Sequence, residues 1–124
     1  MLPKELKYTK EHEWVKIDGD EAVIGVTDYA QSELGDIIFI ELPSIGDIFQ
    51  EDDVMGTIEA VKTVADIFSP LAGKIIEINN EIENSPEFAN SDPYNKGWLV
   101  KMKCTDKASI ENLLDSKEYS DIIS

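Results

Sequence analysis

The sequence predicts a mainly β protein: short strands joined by tight turns, a few short helices, and a helical C-terminal segment. Three patterns predict it. Apolar and β-branched residues recur in short runs, many alternating with polar ones. Glycine, proline, asparagine and aspartate punctuate those runs as turn residues do. Helical spacing of apolar residues is clearest only near the C-terminus.

From Tyr8 to Val26 the chain reads as strands, with Trp14–Ile17 and Ala22–Val26 flanking Asp18-Gly19-Asp20, the Asp-Gly chemistry of a tight hairpin. Thr27 or Asp28 can cap a short helix whose partial apolar face is Tyr29, Ala30 and Leu34, and Gly35 supplies the stop. Ile37–Leu42 is a strongly apolar strand ended by Pro43. Gly56 to Pro70 reads as two strands meeting at a bend around Lys62, and Ser69–Gly73 as the turn into the next strand. Gly35–Ile40 recurs weakly as Gly73–Ile78, each a glycine leading into a β-branched run. Ser85-Pro86-Glu87 resembles a helix start with serine as cap and proline at the first position. Asn90–Gly97 is a turn-rich connection and Trp98–Lys103 a strand. In the C-terminal helix Ile110, Leu113 and Leu114 share one face and Tyr119, Ile122 and Ile123 another, with a break at Asp115-Ser116.

At 124 residues the chain is read as one domain, 1–124. Eleven lysines, no arginine and 26 carboxylates leave a formal charge of −15. Without clustered cations it has no track for nucleic acid, and an anionic membrane surface is disfavoured for the same reason. The acid excess fits solubility or steering toward basic sites on partner proteins. Met1-Leu2-Pro3-Lys4 shows no leader and no apolar run approaches a membrane span, so a cytoplasmic protein is expected, or one of the mitochondrial matrix if a transit peptide has been removed. Cys104 is the one cysteine and reads as a partly buried structural thiol.

Lys62 is the only basic residue between Ile17 and Gly73, a stretch with thirteen carboxylates. An ammonium cannot point inward from a β hairpin without a large desolvation cost, so it should project from the tip. By itself that describes a surface lysine in a bend. The surrounding residues say more: Glu59-Ala60-Val61-Lys62, Gly25–Gln31, Leu34–Ile37, Glu41-Leu42-Pro43, Ser69–Gly73 and Asp92-Pro93-Tyr94 with Gly97-Trp98, in order along the chain, resemble the H protein of the glycine cleavage system. Ala60 and Thr63 depart from that pattern, where the family often has serine and alanine.

The resemblance implies a β-sandwich like those of lipoyl and biotinyl carriers (a barrel-sandwich hybrid), with a lipoyl-like core over about 20–104 and the helical segment over about 106–123. It implies lipoate in amide linkage on Lys62, with Glu59, Gly73 and Gly46 at spacings that serve recognition by the lipoate-attaching enzymes and turn geometry. It also implies a carrier and no enzyme, shuttling the aminomethyl group of glycine from the P protein (glycine decarboxylase) to the T protein (aminomethyltransferase) and electrons to the L protein (dihydrolipoamide dehydrogenase). The family folds the loaded arm into a cleft, for which Glu13 and Asp66 are the candidate cradle, although both could be solvated and Trp14 could be core. A relay of lipoyl or octanoyl groups to other acceptor proteins keeps the same modification. A third alternative, an acidic β domain that only binds a partner, leaves Lys62 unmodified.

Competing chemistry finds little support in the residues. His12 is the one histidine and reads as structural, so no metal site is expected. A Schiff-base lysine needs a depressed pKa, whereas Glu59 and Asp66 favour the protonated amine. A biotinylated lysine usually lies between methionines, and Lys62 lies between Val61 and Thr63.

Overall fold

The computed structural model describes residues 2–124 and arranges them in two antiparallel sheets. The larger sheet has six strands in the order β1 (Lys7–Tyr8), β2 (Glu13–Asp18), β3 (Glu21–Val26), β9 (Val100–Cys104), β8 (Gly73–Ile78) and β5 (Ile48–Phe49). The smaller has three, β4 (Ile37–Glu41), β6 (Val54–Ala60) and β7 (Val64–Phe68), with β6 in the middle. The mainly β expectation holds, and the two copies of the glycine-led repeat fall one on each sheet, as β4 and β8.

Period-two alternation places the core between the sheets. Val100, Met102 and Cys104 point inward from β9 while Lys101 and Lys103 face out, and β3 buries Ala22 and Ile24 in the same way. Ile40, Ile58, Ile67, Leu71 and Ile75 belong to the same cluster. The ion pairs formed by Lys101 and Lys103 at the surface are long and exposed, so they contribute little beside this burial.

The β2–β3 hairpin differs in turn chemistry from the sequence expectation. Asp18 pairs with Glu21, so the two turn residues are Gly19 and Asp20, and only Gly19 takes positive φ, at 64°. That pattern, glycine first, is the type II′ turn and not the Asp-Gly type.

Helix α1 (Asp28–Leu34) carries the chain from the large sheet to the small one; the Thr27 hydroxyl accepts from Ala30 N–H at its start, and Gly35 N–H donates to the Gln31 carbonyl at its end. Two further short helices follow β8. The first, α2 (Asn80–Asn84), has no counterpart in the sequence reading; it is capped by the Asn79 side chain. Ser85 is its C-cap, and the next helix, α3 (Phe88–Ser91), starts after Glu87, so the Ser85-Pro86 cap reading is corrected.

The C-terminal segment breaks where predicted, but its first half, Lys107–Asn112, is a 3₁₀ turn. Asp115 and Glu118 form a reciprocal capping box at the start of helix α4 (Ser116–Ile123). Eight residues do not hold a helix in water. What holds α4 is Tyr119, fully buried and stacked on Tyr8 with ring centroids 4.9 Å apart; burying a tyrosine side chain contributes roughly 4 kcal/mol before entropy. Leu6 and Trp14 complete this second cluster, whereas Ile122, expected to share Tyr119's face, is half exposed.

Candidate functional site

Lys62 projects from the tip of the β6–β7 hairpin. Ala60 N–H donates to the Thr63 carbonyl at 2.8 Å, closing the turn, and Val61 N–H donates to the Asp36 carbonyl at 3.0 Å, tying it to the loop before β4. The backbone is therefore held on two sides while the side chains of Val61, Lys62, Thr63 and Val64 are exposed. Among the described residues Lys62 enters no ion pair.

The lysine stem rests over the end of α1. Its Cε lies 3.4 Å from where a Cβ on Gly35 would stand, within van der Waals contact. Gly35 takes φ of 80°, a conformation glycine adopts cheaply. Asn90 pins this platform from α3: its amide nitrogen donates to the Gly35 carbonyl at 2.9 Å and to Gln31 Oε1 at 3.0 Å, and its oxygen accepts from Ile37 N–H at 3.0 Å. Sequence patterning does not single out Asn90, because a side chain that bonds a stretch more than fifty residues earlier in the chain leaves no local periodic trace.

Behind this platform a cleft of about 230 Å³ runs between α1 and the β6–β7 hairpin. Val26, Ala30, Leu34, Ile58 and Ala65 give it apolar walls, while Glu13 and Asp66 both line it. A larger hollow of about 590 Å³ opens between α1 and α4, but none of its lining residues belongs to the hairpin that carries Lys62.

The two candidate cradle acids have opposite environments. Asp66 is exposed. Glu13 is only 2% exposed, so the solvated alternative fails for it. Its carboxyl accepts from the Thr9 hydroxyl at 2.6 Å and from Phe68 N–H of β7 at 3.2 Å, bridging the two sheets. Burial pushes its pKa up to about 7, with the Thr9 and Phe68 hydrogen bonds opposing and the charges of Glu11 and Asp52 adding slightly. Trp14 beside it is core, its indole N–H donating to the Pro93 carbonyl at 2.9 Å.

His12 lies on the same cleft, with φ of 73°. Its Nδ1 is 2.8 Å from the Tyr119 hydroxyl, which is 2.7 Å from the Thr27 hydroxyl that caps α1. The C-terminal helix thus reaches the cleft through one phenol. A buried tyrosine at helical spacing signals core in a sequence, and nothing in the local pattern marks its hydroxyl.

Glu59 is exposed on the central strand of the small sheet, in register with Phe39 on one side and Val64 on the other. Gly46 takes φ of 98° in the turn before β5, and its own N–H donates to the Ile75 carbonyl at 2.8 Å. Gly73 has no positive φ; its constraint is space, since a Cβ there would lie 2.6 Å from the Lys103 carbonyl oxygen. Gly73→Val is expected to cost roughly 2–3 kcal/mol by forcing β8 off β9, read as a lower urea midpoint with little change in slope.

An exposed amine on a rigid base, beside an apolar cleft with a buried acceptor, suits a covalently tethered acyl arm that must swing out and fold back. No cluster of three or more His, Cys, Asp or Glu is arranged to hold a metal ion among the described residues. No helix among them is long and apolar enough to cross a membrane. Residues 6–124 match the family described as glycine cleavage H-protein. The chain is 50% identical over 122 residues to the glycine cleavage system H protein of Staphylococcus saprophyticus, covering 98% of this chain and 97% of that protein. It superposes with a TM-score of 0.90 on the crystal structure of a glycine cleavage system H protein from Mycobacterium marinum, at 33% identity and 97% coverage of both chains. With sequence, fold and site geometry in agreement, the chain belongs to the glycine cleavage H-protein family, the non-catalytic carriers of the glycine cleavage system that bear lipoate covalently on a lysine.

Proposed function

We propose that Lys62 is the lysine that carries lipoate in this chain, and that the cleft behind it shelters the arm once glycine's aminomethyl group is loaded. The observation that carries this reading is the placement of an exposed amine, without an ion-pair partner among the described residues, whose stem lies on Gly35, directly after Leu34 of the cleft wall. When attached, lipoate supplies a cyclic disulfide that takes up two electrons and a sulfur that carries the one-carbon unit. The residues fit such a group: Val26, Ala30, Leu34, Ile58 and Ala65 can cover a hydrocarbon stem, and Glu13 offers a buried carboxylate to a protonated amine that would otherwise be costly to enclose.

In this reading Asp66 holds the outer, wetter side of the cargo and Glu13 the inner. The hairpin base stays fixed through the Val61–Asp36 and Ala60–Thr63 bonds, so the swinging element is the lysine side chain and what it carries. The arm would visit the P protein for loading, the T protein for transfer of the one-carbon unit and the L protein for reoxidation. Glu59, in the sheet row next to the tip, would meet the lipoate-attaching enzyme, with Gly46 and Gly73 fixing the flanking backbone. A cytoplasmic location belongs to the same proposal, in line with a staphylococcal relative at 50% identity.

The test is mass spectrometry of trypsin-cleaved protein after enzymatic lipoylation, with glycine-dependent carbon dioxide release measured alongside. Modification blocks cleavage at Lys62, so one peptide spanning 17–74 should carry a single lipoyl mass. Release should require that species together with the P protein. Carbon dioxide release from protein whose Lys62 is unmodified would overturn the assignment.

A further inference from the structure

We propose that Tyr119 of the C-terminal helix is a positioning residue for the arm cleft: by donating to His12 Nδ1 it holds the imidazole neutral, as the Nε2–H tautomer, on the wall beside Glu13. The inference rests on the reading of that cleft as the shelter for the loaded arm.

The direction of the hydrogen bonds follows from counting protons. Thr27 is fully buried, and its oxygen already accepts from Ala30 N–H at 3.1 Å. Its proton needs an acceptor, and the one partner in reach is the Tyr119 oxygen at 2.7 Å. A buried hydroxyl left undonated costs about 1–3 kcal/mol, so Thr27 donates to Tyr119. Tyr119 must then donate onward, and His12 Nδ1 at 2.8 Å is the group that can take the proton. A ring nitrogen that accepts cannot carry hydrogen, which leaves the proton on Nε2. Nε2 has no partner among the described residues, and no buried polar side-chain atom is unsatisfied, so this nitrogen is reachable from outside.

The surroundings agree. The Tyr119 phenol is pushed up to about 12 by burial, against the Thr27 hydrogen bond, and so keeps its proton to give. Burial lowers the His12 pKa, while Glu11 and Glu33 pull the other way. Around the ring stand Tyr29 on α1, 4.9 Å between centroids, and Tyr119 on α4, 5.7 Å, with the Glu13 carboxyl next in the chain.

The consequence is electrostatic. An imidazolium here would be a second cation competing with the cargo's ammonium for Glu13. Protonating Nδ1 would set it against the Tyr119 O–H and force the Thr27–Tyr119 chain to reverse, so the phenol disfavours that state. Glu13 is thereby left to the cargo.

Because His12 is the one histidine in the chain, its imidazole gives a single ¹⁵N NMR signature in the unlipoylated protein. The wild type should show Nε2 protonated and Nδ1 as acceptor. Tyr119→Phe keeps the stacking on Tyr8 but removes the hydroxyl; it should lose the tautomer bias, raise the His12 pKa toward its ordinary value, and shorten the loaded arm's lifetime several-fold in the absence of T protein. Tyr8→Phe removes a hydroxyl bonded to the Pro3 carbonyl in the same stacked pair, and should change neither tautomer nor lifetime. An unchanged tautomer in Tyr119→Phe overturns the proposal. So does an altered tautomer with an unchanged lifetime, and Glu13→Gln in the same assay then separates the two readings: a shortened lifetime keeps the cleft as shelter, and an unchanged one removes that as well.

Discussion

Lys62→Arg is expected to fold with stability within about 0.5 kcal/mol of wild type, accept no lipoate, and support no glycine-dependent carbon dioxide release. The small stability change follows from exposure at a turn tip and from the absence of any ion pair at this lysine among the described residues. The functional loss should be complete, because guanidinium stays protonated and offers no amine for acylation. No second lysine lies on the hairpin; the next along the chain, Lys74, sits within β8, paired with Ile48 on one side and Lys103 on the other. The measurement is a lipoylation assay followed by intact mass. A lipoyl mass on the variant would move the attachment point to another lysine and detach it from the cleft.

That Lys62 projects from a hairpin tip could be read from the sequence for a physical reason. A lone cation amid β-branched residues has one low-energy place, the outside of a turn, and the order of motifs along the chain pointed to the family. Strands were legible for the same reason: Val100 to Cys104 alternates because one face is buried. The failures also share a cause. Type II′ and type I′ turns differ in which residue takes positive φ, and Asp18-Gly19-Asp20 fits both on paper. Ser85-Pro86 has the composition of a helix start, yet the preceding α2, capped by Asn79 and packed through the buried Ile82, uses Ser85 as its end. At the site, Glu13 was named for its neighbours in sequence, but its burial and its reach to Phe68 N–H depend on two sheets meeting, which no local window contains. Tyr119, Thr27 and His12 are joined only in the folded chain.

Glu13 should make stability fall as pH rises from about 4.5 to about 7. Its carboxyl titrates near 4.5 when unfolded and is pushed up to about 7 when folded, chiefly by burial. Within that window the folded protein holds a proton that the unfolded chain has released, so each step upward in pH favours unfolding, and the effect is complete above pH 7. The loss amounts to roughly 3 kcal/mol. The chain's large acid excess adds a general repulsion of its own, so the discriminating comparison is with Glu13→Gln. The amide can accept from Phe68 N–H with its oxygen and donate to the Thr9 hydroxyl with its nitrogen, preserving the bridge between sheets without a titrating proton. Urea unfolding at pH 5, 6, 7 and 8 should show a shallower decline in the variant, which equals or exceeds the wild type at pH 8. Parallel curves would mean that Glu13 is ionised throughout and its burial already compensated. If the slopes differ as expected, a native protein at neutral pH carries a half-protonated carboxyl in its cleft, and an ammonium arriving on the arm would drive that proton off. Docking of the loaded arm would then release a proton and weaken as the medium becomes more acidic, tying the hold on the cargo to the same carboxyl whose burial costs the fold stability.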